Sequence, residues 1–265
     1  MGVRRFGRVN WIGLWELYAR EVRRFANIAT QTVMAPVITA VLFMLVFTLA
    51  FGERRGEAAS AAAGIAFPMF LAPGIVMMQL IQNAFANSSS SLIVAKVQGN
   101  IVDTLMPPLS PAELLAGYAL GGTTRGLACA LATGAVIFPA VGLGLAHPLW
   151  ALAFAVSGAL MLALVGVLAG IYADKFDQMA AITNFVIMPL SFLSGTFYSI
   201  SVLPEPFLTL SHLNPFFYLI DGFRYGAAGI SDAEPALGLA VTMAINLGLA
   251  CIAWRWLSRG YRLKS

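Results

Sequence analysis

The chain has 265 residues, of which 59% are hydrophobic and only 11% charged, and its mean hydropathy is +0.82. Soluble domains carry about a quarter charged residues, and so few ionisable side chains cannot cover a water-exposed globule of this size. Composition therefore excludes an ordinary soluble domain, and the net charge of +4 reads as membrane orientation rather than as a nucleic-acid footprint.

The expected fold is all-α and membrane-embedded, and residues 9–24 form its first element. Trp11, Leu14, Trp15, Tyr18 and Val22 recur at i, i+3, i+4, i+7 and i+11, with Arg20, Glu21, Arg23 and Arg24 displaced from that stripe. This is the pattern of an amphipathic helix lying in the membrane interface. A spanning helix needs roughly 20 apolar residues, because in lipid the backbone must satisfy its own hydrogen bonds. Uncharged intervals therefore count the crossings. Residues 25–52 and 58–95 hold one each, and 126–173 hold most of two, turning at Ala146-His147-Pro148. Residues 178–204 and 235–254 hold the fifth and the sixth. An even count puts both termini on one side. Arg4, Arg5, Arg8, Arg20, Arg23, Arg24, Lys96, Lys175, Arg255, Arg259, Arg262 and Lys264 fall on that side, against Arg54, Arg55 and Arg224 opposite. The excess places both termini in the cytoplasm.

Between crossings two and three, Asn87 to Ser91 are read as closing the second crossing. Ile93, Val94, Val97, Ile101 and Leu105 then recur at helical spacing, interleaved with Lys96, Gln98, Asn100 and Asp103, until Pro107-Pro108 stops the pattern. That predicts an amphipathic helix over 93–105, apolar in water and thus suited to docking a partner. In the third crossing Arg125 stands roughly 18 Å along a helix beginning near Glu113. Insertion of an arginine there costs about 2.5–3.5 kcal/mol, so it faces protein or a water-filled route, as an interhelical hydrogen bond or as the lining of an anionic substrate's path. Gly117, Gly121, Gly122, Gly126, Ala130 and Gly134, with Gly166 and Gly170 in the fourth crossing, permit close helix packing. The apolar stretch 203–229 is broken by Pro204, Pro206 and Pro215 and carries Asp221 and Arg224 at i and i+3. It is too interrupted to span and is expected as short helices at or dipping into the outer leaflet, with Asp221 and Arg224 a structural pair.

Chemistry is sparse. No glycine-rich phosphate loop precedes Lys96, Lys175 or Lys264. Cys129 and Cys251 lie in apolar runs, and His147 and His212 have no acid or cysteine at ligand spacing, so neither metal nor catalysis is assigned to them. Asp174, Asp177, Asp221 and Asp232 leave one alternative: a membrane-embedded lipid or prenyl transferase that would work without ATP. An ion-coupled transporter would need titratable groups inside the bundle, where only Arg125 is expected.

Three stretches carry a resemblance. They are APGI at Ala72 to Ile75, Ala95-Lys96 through Leu105-Met106-Pro107-Pro108, and Pro189 through FLSGTFYS with LSHLNPFFYLIDGFRYG. With them the sequence resembles, over nearly its whole length, the permease subunit of ABC-2 type transporters. The nearest likeness is to compact bacterial inner-membrane multidrug-type permeases, related to nodulation-factor and daunorubicin exporters. The resemblance implies a non-catalytic six-helix subunit that exports as a homodimer. Two copies of a separate ABC ATPase would carry the ATP and magnesium, with no cofactor on this chain and no nucleic-acid partner. It implies that 93–105 is the coupling helix seated on the ATPase, through Lys96, Val97, Gln98, Asn100, Ile101 and Asp103. Crossings one, two and five would face the path, with Asn83, Phe85, Arg125, Asn184, Phe185, Phe192 and Phe197 as candidate residues. Residues 203–229 would be re-entrant outer helices. The short loop at 52–64 would lack a bulky external domain, which suits an amphipathic drug, a lipid or a lipid-linked glycan as cargo.

Overall fold

The structure, a computed structural model, describes residues 9–51 and 64–262. Arg4, Arg5, Arg8, Arg54, Arg55, Lys264 and the loop expected from residue 52, up to residue 63, lie outside the described residues. Every regular element described is helical. Helix α1 (Trp11–Ala26) starts at Asn10, whose side chain accepts from the Gly13 N–H. Trp11, Ile12 and Trp15 lie exposed along one side, while Leu17, Glu21 and Phe25 pack on the bundle. The tryptophan stripe thus faces away from the protein, as an interfacial helix requires, but the packed side carries a glutamate.

Helix α2 (Ala35–Phe51) is preceded by a π turn at Thr30–Met34. Pro36 accounts for the wide turn, because proline lacks an N–H and its ring collides with the carbonyl four residues earlier. That carbonyl belongs to Thr32, and the Cys129 thiol donates to it at 3.1 Å.

Helix α3 (Phe67–Val97) is one continuous rod of 31 residues. The expectation that Asn87 to Ser91 close the second crossing is therefore corrected. Asn87, Ser88, Ser89 and Ser91 are buried inside the helix. The Ser89 hydroxyl donates back to the Phe85 carbonyl at 2.8 Å and the Ser88 hydroxyl across to the Tyr118 carbonyl at 3.2 Å. Small hydroxylated residues satisfy themselves this way in a tightly packed helix, so polarity alone does not end it. The rod ends where Gly99 takes φ +75°, a left-handed position open to glycine. Helix α4 (Ile101–Leu105) follows with only five residues. The helix predicted over 93–105 is thus two pieces: the last turn of α3, then α4.

Helix α5 (Pro111–Val141) opens on a capping box between Ser110 and Glu113, and α6 (Pro148–Tyr172) begins at the proline of the predicted turn. The small-residue stripe of α5 serves contact within the chain. A Cβ on Gly126 would stand 2.9 Å from the Leu80 carbonyl oxygen, and one on Gly122 would stand 2.3 Å from the Ser88 hydroxyl. Helix α7 (Phe176–Ile182), a second π turn (Thr183–Ile187) and α8 (Met188–Phe192) run on without a break. The Met188 N–H reaches back five residues to the Thr183 carbonyl, and Pro189 follows as Pro36 does the first π turn. The segment stops at Phe192, short of the end expected at 204, because Leu193 to Ser199 turn away through Gly195 at φ +71°. Among the described residues five helices are long and apolar enough to cross a membrane: Thr30–Ala50, Phe67–Val97, Pro111–Val141, Pro148–Tyr172 and Pro235–Arg259; the segment expected as the fifth crossing is not among them.

Helices α9 (Phe207–Leu213) and α10 (Pro215–Ala228) form a hairpin before α11 (Pro235–Arg259). At its apex the Asn214 amide donates to the Leu190 carbonyl and the Ser194 hydroxyl. Its arms open toward the end of the bundle where the Ile200 N–H meets Asp232 and the Ala146 and His147 N–H groups meet the carbonyls of Ala227 and Gly226. We call this the far end. The other, basic end gathers Asn10, Lys96, Glu113, Asp174 and Arg262. Between the two, α3 is enclosed by α5, α6 and α10 and forms the axis of the core.

Candidate translocation groove and coupling surface

One face of α3 is left open between α2 and the α7–α8 segment, leaving a groove of about 590 Å³. Its floor is a polar stripe of α3 at helical spacing: Gln79, Gln82, Asn83, Ser89 and Ser90. Its walls are Pro36, Thr39 and Phe43 on one side and Met179, Thr183, Ile187, Met188 and Phe192 on the other. The second π turn thus lines it through Thr183 and Ile187, and the first ends just before the lining residue Ala35. Phe192 and Phe197 stack at 5.5 Å, and Phe197 stacks on Phe47 at 4.3 Å, closing an aromatic cluster at the far end. Behind the floor, Arg125 donates to the Asn83 side-chain oxygen at 3.1 Å, while the Asn83 amide donates to the Gln79 carbonyl.

The structure brings Asn83, Phe85 and Phe192 to the groove, with Arg125 behind it and Phe197 at its aromatic end. Asn184 and Phe185 lie outside it: both are exposed on the outer side of the π turn, Phe185 at 80%. Helix rotation at a π turn is not readable from spacing alone, since the turn adds a residue to the helical repeat.

At the basic end the residues expected to touch a partner divide into two sets. Val97, Gln98, Asn100 and Asp103 are exposed, together with Val102 and Met106. Lys96 and Ile101 are turned inward. Lys96 donates to the Ile171 and Ala173 carbonyls at 2.8 and 2.7 Å and to Asp174 at 2.9 Å, so it caps the end of α6. Arg262 joins from the other side, 3.7 Å from Asp174 and 2.9 Å from the Tyr172 carbonyl. The Lys96 hydrogen bond holds the Asp174 carboxyl below the usual carboxylate range. Val102 and Met106 escape a reading that treats 93–105 as one helix, because the Gly99 break resets which positions share a face.

Sequence spacing also missed Glu21, whose side chain is 1% exposed. Arg20 and Arg24 pair with it, each at 3.3 Å, and the Ser91 hydroxyl donates to it at 2.7 Å. Arg24 continues to the Asn87 carbonyl and to Ser90, and Arg20 to Thr104 on α4. On a helical wheel these charges read as a solvated face. The reason they are not is Gly121, which lets the Glu21 stem lie against α5.

At the far end Arg224 and Asp221 are both buried, 3.7 Å apart. Arg224 donates to the Gly195 and Phe70 carbonyls and lies over the Phe70 ring at 3.9 Å, while Asp221 accepts the Asp232 and Ala233 N–H groups. The pair knits α3, the 195 turn, α10 and the α10–α11 loop. The transferase reading needs its aspartates together, yet Asp221 and Asp232 sit here and Asp174 at the opposite end. Among the described residues no three His, Cys, Asp or Glu side chains converge on a metal position.

The ABC-2 type transporter family matches residues 13–227. The chain belongs to this family. Inner membrane transport permease YadH of Escherichia coli K12 is 36% identical over 255 residues, covering 96% of this chain and 98% of that protein. Nodulation protein J of Sinorhizobium fredii is 24% identical over 258 residues, covering 94% and 95%, and that of Rhizobium leguminosarum bv. viciae 22% over 251 residues, covering 93% and 90%. This ABC-2 chain is accordingly a membrane permease subunit of a transporter and not an enzyme.

Proposed function

We propose that this permease subunit exports an amphipathic cargo across the bacterial inner membrane, working as a homodimer with two copies of a separate ABC ATPase that hold ATP and magnesium. In this reading both termini are cytoplasmic, α9 and α10 are re-entrant on the outer side, and the groove along α3 is the cargo's path. The single observation that carries it is the apolar surface at the basic end: Val97, Val102 and Met106 are 49%, 52% and 75% exposed, amid Gln98, Asn100 and Asp103. Apolar side chains held in water beside polar ones suit a protein partner. The surface is also fixed to the bundle, through Lys96 to α6 and through Thr104 to Arg20 of α1, so a push on it moves the permease instead of bending a loop.

Two closed ATPases would move this surface and shift the dimer between inward and outward states. The exposed apolar sides of α2 (Ile38, Leu42, Leu45, Leu49) and of the second π turn (Phe185, Val186) are available to a second copy and to lipid. The test replaces Val97 and Val102 with Asp. The ATPase is expected to stop co-purifying while the permease keeps its elution volume and thermal stability. Ile101 is left alone because, 8% exposed, its replacement would unfold the site. Unchanged co-purification would reject the docking surface, and nucleotide hydrolysis by the purified chain alone would reject the division of labour.

A further inference from the structure

The groove's charge environment goes beyond the reading above, on which it rests, and specifies the cargo. The residues lining the groove include no acid and no base, and two hydrogen-bond donors that face it or stand behind it lack partners. The Gln82 side-chain nitrogen is buried without a partner, as is Nε of Arg125. The acceptor that Asn83 could offer is taken by Arg125. Two guanidinium groups stand one side chain behind the floor: Arg125 on Asn83, and Arg24, whose Nη1 donates to Ser90 at 3.1 Å. The carboxylate beside them, Glu21, is buried and already held by Arg20, Arg24 and Ser91. A cation entering here would meet two positive charges with no free counter-charge, whereas a phosphate or carboxylate, which only accepts hydrogen bonds, meets donors that lack partners. The walls of Phe43, Met188 and Phe192 leave room for an apolar tail on the lipid side.

We infer that the groove takes an amphiphile with an anionic headgroup, set on the Gln82–Asn83 floor with its tail in lipid. The full chain is purified in phosphatidylcholine nanodiscs with Cys251→Ser, which removes the exposed thiol, and Thr39→Cys, which puts one in the groove wall; Cys129 is buried. Alkylation of the new cysteine by N-ethylmaleimide is timed with added phosphatidic acid, with a two-tailed trimethylammonium lipid of the same chains, and with inorganic phosphate. Phosphatidic acid is expected to slow the reaction about tenfold, the fold-change of one hydrogen bond to a charged group, and the cationic lipid and free phosphate to leave it unchanged. Arg125→Gln should abolish that protection and Arg125→Lys should keep it. Gln82→Leu, at the groove surface, should weaken it even if Arg125→Gln fails to fold. Equal protection by the cationic lipid overturns the inference, as does protection that survives both Arg125→Gln and Gln82→Leu. Protection by inorganic phosphate alone overturns the amphiphile. No ATPase is needed, so the charge preference can fail while the docking test succeeds.

Discussion

Arg224 is the group whose removal is expected to loosen the far end most. Its side chain is 1% exposed, and it holds three separate segments at once: the Phe70 carbonyl and ring at the start of α3, the Gly195 carbonyl in the turn after α8, and Asp221 on its own helix. Arg224→Met keeps an apolar stem over Phe70 and removes the charge and its donors. Taking one partner from a buried pair costs about 3–5 kcal/mol, mostly because the other charge is left behind. Here Asp221 still accepts two backbone N–H groups, from Asp232 and Ala233, so the lower figure of about 3 kcal/mol applies. At about 2–4 °C per kcal/mol for a chain of this size, the midpoint should fall by about 6–12 °C. The assay is thermal unfolding in detergent, followed by loss of the monodisperse peak. The double variant Asp221→Asn with Arg224→Met should recover about 1 kcal/mol of the loss, because no unpaired carboxylate remains. A fall below about 2 °C, or a double variant no better than the single, would refute this account of the pair.

Cys129→Ala should cost about 1 kcal/mol by leaving the Thr32 carbonyl, already deprived of a partner by Pro36, without its thiol donor; Cys129→Ser should cost less, and equal losses in detergent melting would remove the thiol from the explanation. At the basic end, Lys96 lowers the folded pKa of Asp174 below its unfolded value. The stabilisation from that pair is therefore complete above about pH 4 and is lost as pH falls through the lower folded value. Hydrogen exchange across residues 97–106, corrected for intrinsic rate, should stay flat from neutrality down to that range, while Lys96→Met should raise it at neutral pH. Faster exchange already between about pH 5 and 6 would contradict the sign.

The sequence made legible those features that follow from long-range composition. Charge-free intervals located all five long apolar helices and the turn before Pro148, and the proline-broken stretch 203–229 contains the short helices α9 and α10. What composition misplaced were local events decided by packing. Asn87 to Ser91 look like a boundary only if polar side chains must reach water, yet their hydroxyls and the Asn87 side-chain oxygen are served by α3 itself, α5 and α1. The segment after Asp177 reads as a full crossing from its apolarity, while the turn through Gly195 ends it early. Glu21 was illegible for a different reason: its burial depends on Gly121 of α5, a hundred residues away, and no window along α1 contains it.

The first of those corrections changes how force would travel. A separate coupling helix over 93–105 would hang from the second crossing by a loop, and a displacement there would have to pass through flexible chain. Instead Val97 is the last residue of a helix whose other turns carry Gln79, Gln82, Asn83 and Ser90 on the groove floor. At about 1.5 Å per residue that rod is about 46 Å long, and Lys96 ties its tip to the end of α6. Moving the tip therefore tilts the floor as one body against walls that can yield. The α7–α8 segment carries a π turn in the groove wall, at Thr183–Ile187, and α2 is preceded by one at Thr30–Met34 that ends just before the lining residue Ala35, where the helical ladder is already widened ahead of a proline. Rigid floor and jointed walls are what a groove needs if a push from the basic end is to open it toward the far end.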